Sequence, residues 1–239
     1  MKRMDRAAAV VVASYAPAWA QEGNSLAGEE LGSPEYSASI EEAAWDWKPG
    51  DLVFRNGLNR FDELIREAEG GQWASVAVLR PSSGGPVAIF VDEKIGVTET
   101  PLDYFIDGGP YAVFRVKGLE EHRAEEYHAG PMALFAGITA LEAPYDHEMM
   151  YENKKFYNAE LAFASALNAG VILGSPQPLR DLTTHEAPLG RVLLERWREH
   201  SFCIEAMDEL MCWEWVRNLA VVTPRSMLAS DALEQVYPQ

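Results

Sequence analysis

Apolar and polar positions change their period several times along this chain. After Lys48-Pro49-Gly50 the run Asp51-Leu52-Val53-Phe54-Arg55 predicts a short strand, and residues 61–69 carry Phe61, Leu64, Ile65 and Ala68 on one helical face. Gly70-Gly71 predicts the end of that helix. Two β-rich apolar runs, 73–80 and 87–91, flank Pro81-Ser82-Ser83-Gly84-Gly85-Pro86, whose turn residues predict a hairpin. A further strand is predicted at 111–116. The pattern then becomes helical: 131–142 places Met132, Phe135, Ile138 and Leu141 at three-residue steps, and 158–169 is an Ala-rich helix closed by Gly170. Later helices are predicted at 189–199 and within 204–218, with a short strand at 220–223 before Pro224. No internal repeat or long linker interrupts the series. One α+β domain over 45–239 follows, with a small antiparallel sheet or half-barrel packed against helices.

The N-terminal segment follows a different pattern. Lys2, Arg3 and Arg6 lead into an alanine-rich run and then Ala18-Trp19-Ala20, the layout of a secretory signal peptide over 1–20. A frayed or membrane-adjacent N-terminal helix is the alternative, and Asp5 within the basic region is atypical of a leader. The stretch is too short to span a bilayer. Residues 21–44, rich in Glu, Gly and Ser, predict a flexible lead-in. An exported protein, periplasmic or extracellular, is therefore expected, with no transmembrane segment in the mature chain. Its two cysteines, Cys203 and Cys212, suit a local disulfide in an oxidising compartment, with free buried thiols as the alternative.

The 239 residues hold 20 Lys and Arg against 37 Asp and Glu, a net charge of -17, and loss of 1–20 (Lys2, Arg3, Arg6 and Asp5) would deepen it to -19. Such a surface repels a phosphate backbone, so no nucleic-acid partner is expected. A P-loop, a dinucleotide fingerprint and a GxSxG elbow are absent, and no cofactor is called for. No metal site is read either: Asp146, His147 and Glu148 are consecutive and cannot converge on one ion from a regular element, so a solvated turn is expected there. His122 and His128 flank a Glu-rich stretch that reads as a surface helix. His200 stands three residues before Cys203, but a disulfide would remove that thiol from any Cys/His pair. Acidic pairs arise readily among 37 carboxylates, and none stands where one pKa would be raised as a glycosidase requires.

Several segments, in order, resemble the YiiX/YaeF-type permuted papain-like amidases, relatives of the NlpC-type cell-wall hydrolases. GDLVFR at 50–55 is similar to the family's GDLIFR, ASVAVL at 74–79 to its SHVGIV, and Tyr157-Asn158-Ala159-Glu160-Leu161 to its YCSEL. Asp92-Glu93, Gly96-Val97, Thr100-Pro101-Leu102, Pro144-Tyr145-Asp146 and GSPQPLRDL at 174–182 follow the family's order, and the resemblance spans most of the mature chain. It implies a permuted papain-like (NlpC-type) fold in which a cysteine at a helix start attacks an amide and a histidine serves as base.

This sequence departs at both positions. Asn158 stands for the nucleophile and Ser75 for the base, and neither a carboxamide nor a hydroxyl can take those roles near neutral pH. Asp92 or Glu93 falls at the third, orienting position. Asp51, Tyr157 and Glu160, within the matched motifs, are candidates for the pocket wall. What the resemblance then implies is a degenerate Cys/His dyad and a pocket that binds a small amide, a muropeptide or a lipid-like ligand of the cell envelope. Two alternatives stand beside it: an amidase, peptidase or esterase that works with substitute residues, and an acidic partner-binding envelope protein.

Overall fold

Strand pairing begins at the predicted first strand, which becomes the middle of a sheet. In the computed structural model, residues 45–107, 109–119, 130–151 and 153–238 are described. The leader, the lead-in, His122 and His128 lie outside them. β1 (Leu52–Arg55) pairs antiparallel with β2 (Ser75–Ser82) on one side and β5 (Tyr111–Val116) on the other. β3 (Gly85–Asp92) and β4 (Gly96–Pro101) extend the sheet beyond β2, and β8 (Leu233–Tyr237) closes the far edge, giving the order β4-β3-β2-β1-β5-β8. The protein is thus α+β, with a six-stranded antiparallel sheet. A separate pair, β6 (Gln177–Pro178) and β7 (Ala220–Val221), lies outside it.

Period-two alternation sorts the strand residues between two apolar layers. Leu52, Phe54, Val76, Val78, Ile89 and Val91 face the larger core on the helix side, while Val53, Ala77, Leu79 and Ala88 join Trp45, Leu102, Phe105 and Val113 in a smaller core on the other. The helix side holds α1 (Arg60–Glu69), α3 (Pro131–Leu134), α4 (Asn158–Asn168), α5 (Leu179–Leu182), α6 (Pro188–Leu194), α7 (Glu209–Val216) and α8 (Pro224–Leu228); α2 (Leu102–Ile106) packs on the smaller core. The hairpin turn is tighter than predicted, because β2 and β3 pair through Pro81 and Pro86 and leave only Ser83-Gly84 to turn.

The predicted helix over 131–142 is shorter and wider. After α3 the chain continues as a π-helix, Phe135–Thr139, which turns Ala136 and Ala140 into the core and leaves Ile138 exposed, contrary to its place in the three-residue pattern. Gly137 makes this close approach possible: a Cβ there would stand 2.8 Å from Arg80 Cδ and 3.1 Å from Ile89 Cδ1. The predicted helix at 189–199 also splits, into α6 and a 3₁₀ turn at Trp197–Glu199.

Two ties place the functional region. Gly96, at φ 89°, brings its Cα against the Ala143 carbonyl, where a Cβ would clash at 2.2 Å. That contact lets Val97 N–H donate to Ala143 O (2.8 Å) and Glu142 N–H donate to Val97 O (2.9 Å), so the turn carrying Tyr145, Asp146 and His147 is sewn to the edge strand β4. The second tie is the disulfide between Cys203 and Cys212, with Cα atoms 5.0 Å apart, which closes the loop leading into α7. Closing a loop of this length stabilises by about 2 to 3 kcal/mol through the unfolded chain. The double variant Cys203→Ser/Cys212→Ser is expected to lose that amount in chemical denaturation; an unchanged midpoint would mean the loop is held without the bond.

Candidate functional site

The site grows from a gap in the sheet. β2 pairs with β1 from Ser75 to Val78 and with β3 only from Val78 onward, so beyond Ile89 the strands β2 and β3 separate. Val91 therefore turns its N–H and C=O into the gap without a strand partner on that side. Buried peptide groups must be satisfied, and a carboxamide has the donor and acceptor of a peptide unit. Asn158, the first residue of α4, supplies it: Val91 N–H donates to Asn158 Oδ1 at 2.7 Å, and Asn158 Nδ2 donates to Val91 O at 2.9 Å. The second Nδ2 hydrogen goes to Asp62 Oδ2 at 2.6 Å.

Asp62 lies on the buried face of α1, one helical turn before Ile65. Its Oδ2 also accepts from Ser75 Oγ at 2.5 Å and from Asn59 Nδ2 at 3.0 Å, while Asn59 Nδ2 donates as well to Val91 O at 2.7 Å. Ser75 and Asn158, far apart in sequence, thus end on one carboxylate oxygen. Both are wholly buried, as Asp62 is. Burial pushes the Asp62 carboxyl up, the three donated hydrogen bonds pull it down and the charge of Glu93 pushes it up again, leaving it at about 7.

The structure separates the two third-position candidates. Asp92 Oδ1 accepts Lys94 N–H (2.8 Å) and Ile95 N–H (3.0 Å), which commits it to the β3–β4 turn. Glu93 Oε1 instead accepts Phe61 N–H (2.7 Å) at the start of α1, and its own N–H donates to Asn59 Oδ1 (3.3 Å), so Glu93 borders the Asp62 network.

The wall candidates fall elsewhere. Asp51 is at the opposite end of β1 from the residue paired with Ser75, and it binds Arg115 through both oxygens (2.7 and 2.8 Å) and Lys48 N–H (2.8 Å), a role in holding strands together. Tyr157 is buried, its hydroxyl exchanging hydrogen bonds with the Val222 backbone at 3.0 and 3.1 Å. Glu160 is buried too, and burial together with the nearby Asp146 charge raises it to about 9, so it is a neutral acid at physiological pH.

Three residues that the sequence does not mark as site residues complete the region. Asp62 is one. Tyr145 is the second: its hydroxyl is buried with no hydrogen-bond partner among the described residues, and burial with the charges of Asp62 and Glu93 holds its pKa well above the ordinary value. The third is His147, expected on a plain solvated turn; it is exposed, but its ring lies 4.7 Å from that of Tyr145 and faces a surface groove. Burial of part of the ring and the charge of Arg196 lower its pKa, so it is a neutral imidazole near pH 7.

The groove has two adjoining hollows of about 180 and 230 Å³ that share His147, Leu193 and Arg196. Arg60, Phe61, Glu93, Val192 and Glu195 line the first; Glu148, Lys155, Glu199 and His200 line the second. His200 does not stand free there: its Nδ1 accepts Phe202 N–H (3.2 Å) and its Nε2 lies 3.1 Å from Glu148 O. With Cys203 bonded to Cys212, the alternative Cys/His pair is ruled out by covalent chemistry.

No family model matches the chain and no curated protein matches it in sequence. Among solved structures, a metalloprotein, YiiX from Escherichia coli O157:H7, aligns over 80% of this chain and 97% of its own at 22% identity, with a TM-score of 0.59. The chain has the fold of YiiX. The likeness reaches no further than the fold, and the word metalloprotein describes that relative. Among the described residues no group of three or more His, Cys, Asp or Glu side chains is disposed to hold a metal ion, and Asp62 Oδ2 is already occupied by three donors.

The network makes stability depend on pH. A folded-state pKa raised from 3.8 to about 7 means that the folded chain holds a proton the unfolded chain gives up, so the stability contributed by Asp62 is full below about pH 4 and is lost as pH rises through 7. At about 1.4 kcal/mol per unit the loss is on the order of 4 kcal/mol. Asp62→Asn, which mimics the protonated acid, is expected to flatten this part of the profile in denaturant titrations at several pH values, leaving a slope toward pH 9 from Glu160. An unaltered profile would show that Asp62 titrates normally. Asn158→Ala, which orphans Val91 N–H, is expected to cost about 3 kcal/mol or more.

Proposed function

We propose that this chain is an exported papain-like domain of the YiiX/YaeF type whose Cys/His dyad has been replaced and which binds, without cleaving, an acylated amide that carries a free carboxylate. The observation behind this reading is the meeting of Ser75 and Asn158 on one oxygen of Asp62, with neither side chain open to solvent. Two residues that take the dyad's positions are neighbours, as the family's chemistry requires, yet their hydrogen-bonding capacity serves the core. The disulfide between Cys203 and Cys212 supports an oxidising, extracytoplasmic setting.

The ligand chemistry follows from the adjoining groove. Phe61, Val192 and Leu193 offer an apolar floor suited to an acyl chain, and Arg60 and Arg196 offer two guanidinium groups that form no ion pair within the described residues. Glu93 and Glu195 line the same hollow, so the anion-binding role falls to Arg60 and Arg196 alone, whose guanidinium groups suit a carboxylate. A carboxylate-terminated acyl amide, the chemistry shared by N-acyl amino acids and muropeptide stems, matches floor and rim together.

An N-acyl amino acid such as N-lauroyl-alanine is therefore expected to bind in isothermal titration calorimetry, to remain uncleaved by mass spectrometry, and to lose at least about tenfold in affinity in Arg60→Ala/Arg196→Ala. Equal binding by that variant would remove the groove as the site. A second reading, hydrolysis with substitute residues, is favoured only by the neutral His147 beside Glu93 in the groove. Cleavage of the probe that disappears in His147→Ala, with the fold intact, would replace the binding reading by this one.

A further inference from the structure

The segment from Ser201 to Leu210 turns large apolar side chains outward. Phe202 is 49% exposed, Ile204 78%, Met207 85% and Leu210 56%, four of the nine exposed large hydrophobic residues among those described, on a stretch of nine positions. The stretch is firmly held. Cys203 and Cys212 close it, Ser201 donates from both N–H and Oγ to Glu148 Oε2 (2.8 and 2.6 Å), and Asp208 caps α7 through Met211 N–H (2.8 Å). Ala206, by contrast, packs inward against the main core, so the loop has an inner and an outer side. A pinned loop that shows apolar groups to water loses little entropy when a partner covers them.

Charge decides between occupants. Glu205, Asp208 and Glu209 are interleaved with the apolar residues and exposed, and Leu210 continues into a hollow of about 290 Å³ lined by Leu194, Glu195, Glu209, Arg191 and His185. A second copy would bring the same acids face to face, on a chain already at -17, and an anionic bilayer would be repelled likewise. We infer that this disulfide-closed loop is a docking surface for a protein segment with large apolar side chains flanked by lysine or arginine. The apolar groups cover Ile204, Met207 and Leu210, one side chain enters the hollow beside Leu194, and the basic groups meet Glu205, Asp208 and Glu209. The hollow shares Glu195 with the groove assigned to the small ligand, but Ile204 and Met207 line neither part of that groove, so substitutions there test the docking surface alone.

The test uses the full chain with a labelled amphipathic Leu/Lys peptide, its Leu/Glu counterpart, and vesicles of phosphatidylcholine alone or mixed with phosphatidylglycerol. Fluorescence anisotropy is expected to show binding of the Leu/Lys peptide only. Affinity should fall about tenfold in Ile204→Ser/Met207→Ser, and several-fold between about 50 and 500 mM salt. Both substituted side chains are mostly in solvent, so the variant should melt as the wild type does, and it should bind N-lauroyl-alanine unchanged. Equal peptide binding by the double variant would overturn the proposal. So would loop-dependent partition into vesicles without peptide binding, or a dimer in sedimentation that the double variant abolishes.

Discussion

A carboxyl group removed from water must be answered by donors, and at Asp62 the answer comes from three separate parts of the chain. Asn59 precedes α1, Ser75 opens β2 and Asn158 opens α4, and all three donate to the same oxygen. Through Asn158 and Asn59 the network continues to the backbone of Val91 in β3. Helix and sheet are therefore joined by directional bonds as well as by apolar contact. An unpaired buried polar group costs more than a made hydrogen bond returns, so each member fixes the places of the others.

Much of the secondary structure is legible in the sequence because it is written as period. The strand at 52–55, the helix α1 and the helix α4 follow directly from apolar spacing. The edge strands β4 and β8 are not legible in the same way: Gly96–Pro101 contains Gly, Thr, Glu and Pro, and its strand character is imposed by β3 on one side and by the 142–143 turn on the other. The π-helix over Phe135–Thr139 escapes a three-residue pattern because its wider turn shifts the inward positions onto alanines.

The site was half legible. Motif order picks out Ser75 and Asn158, but it cannot show that a third residue joins them. The signal for Asp62 was present as an acid on the apolar stripe of α1, one turn before Ile65, where a solvated carboxylate has no place. Asp51 and Tyr157 stand in equally well-matched motifs and turn out to brace strands and a backbone crossing. Glu93 and Asp92 are adjacent and chemically alike, and only the direction each side chain takes at the hairpin end tells a turn residue from a site neighbour.

The carboxamide wedged between β2 and β3 also governs which chemical states this scaffold can pass between. A thiol at position 158 could not replace both bonds to Val91, and an imidazole at 75 would have to fit where a hydroxyl now lies within a short bond of Asp62. A cysteine at 158 would leave the Val91 N–H without its carboxamide acceptor in the interior. The network thus resists piecemeal change: an exchange at 75 or 158 alone runs through a less stable protein, because it breaks bonds that the other members depend on.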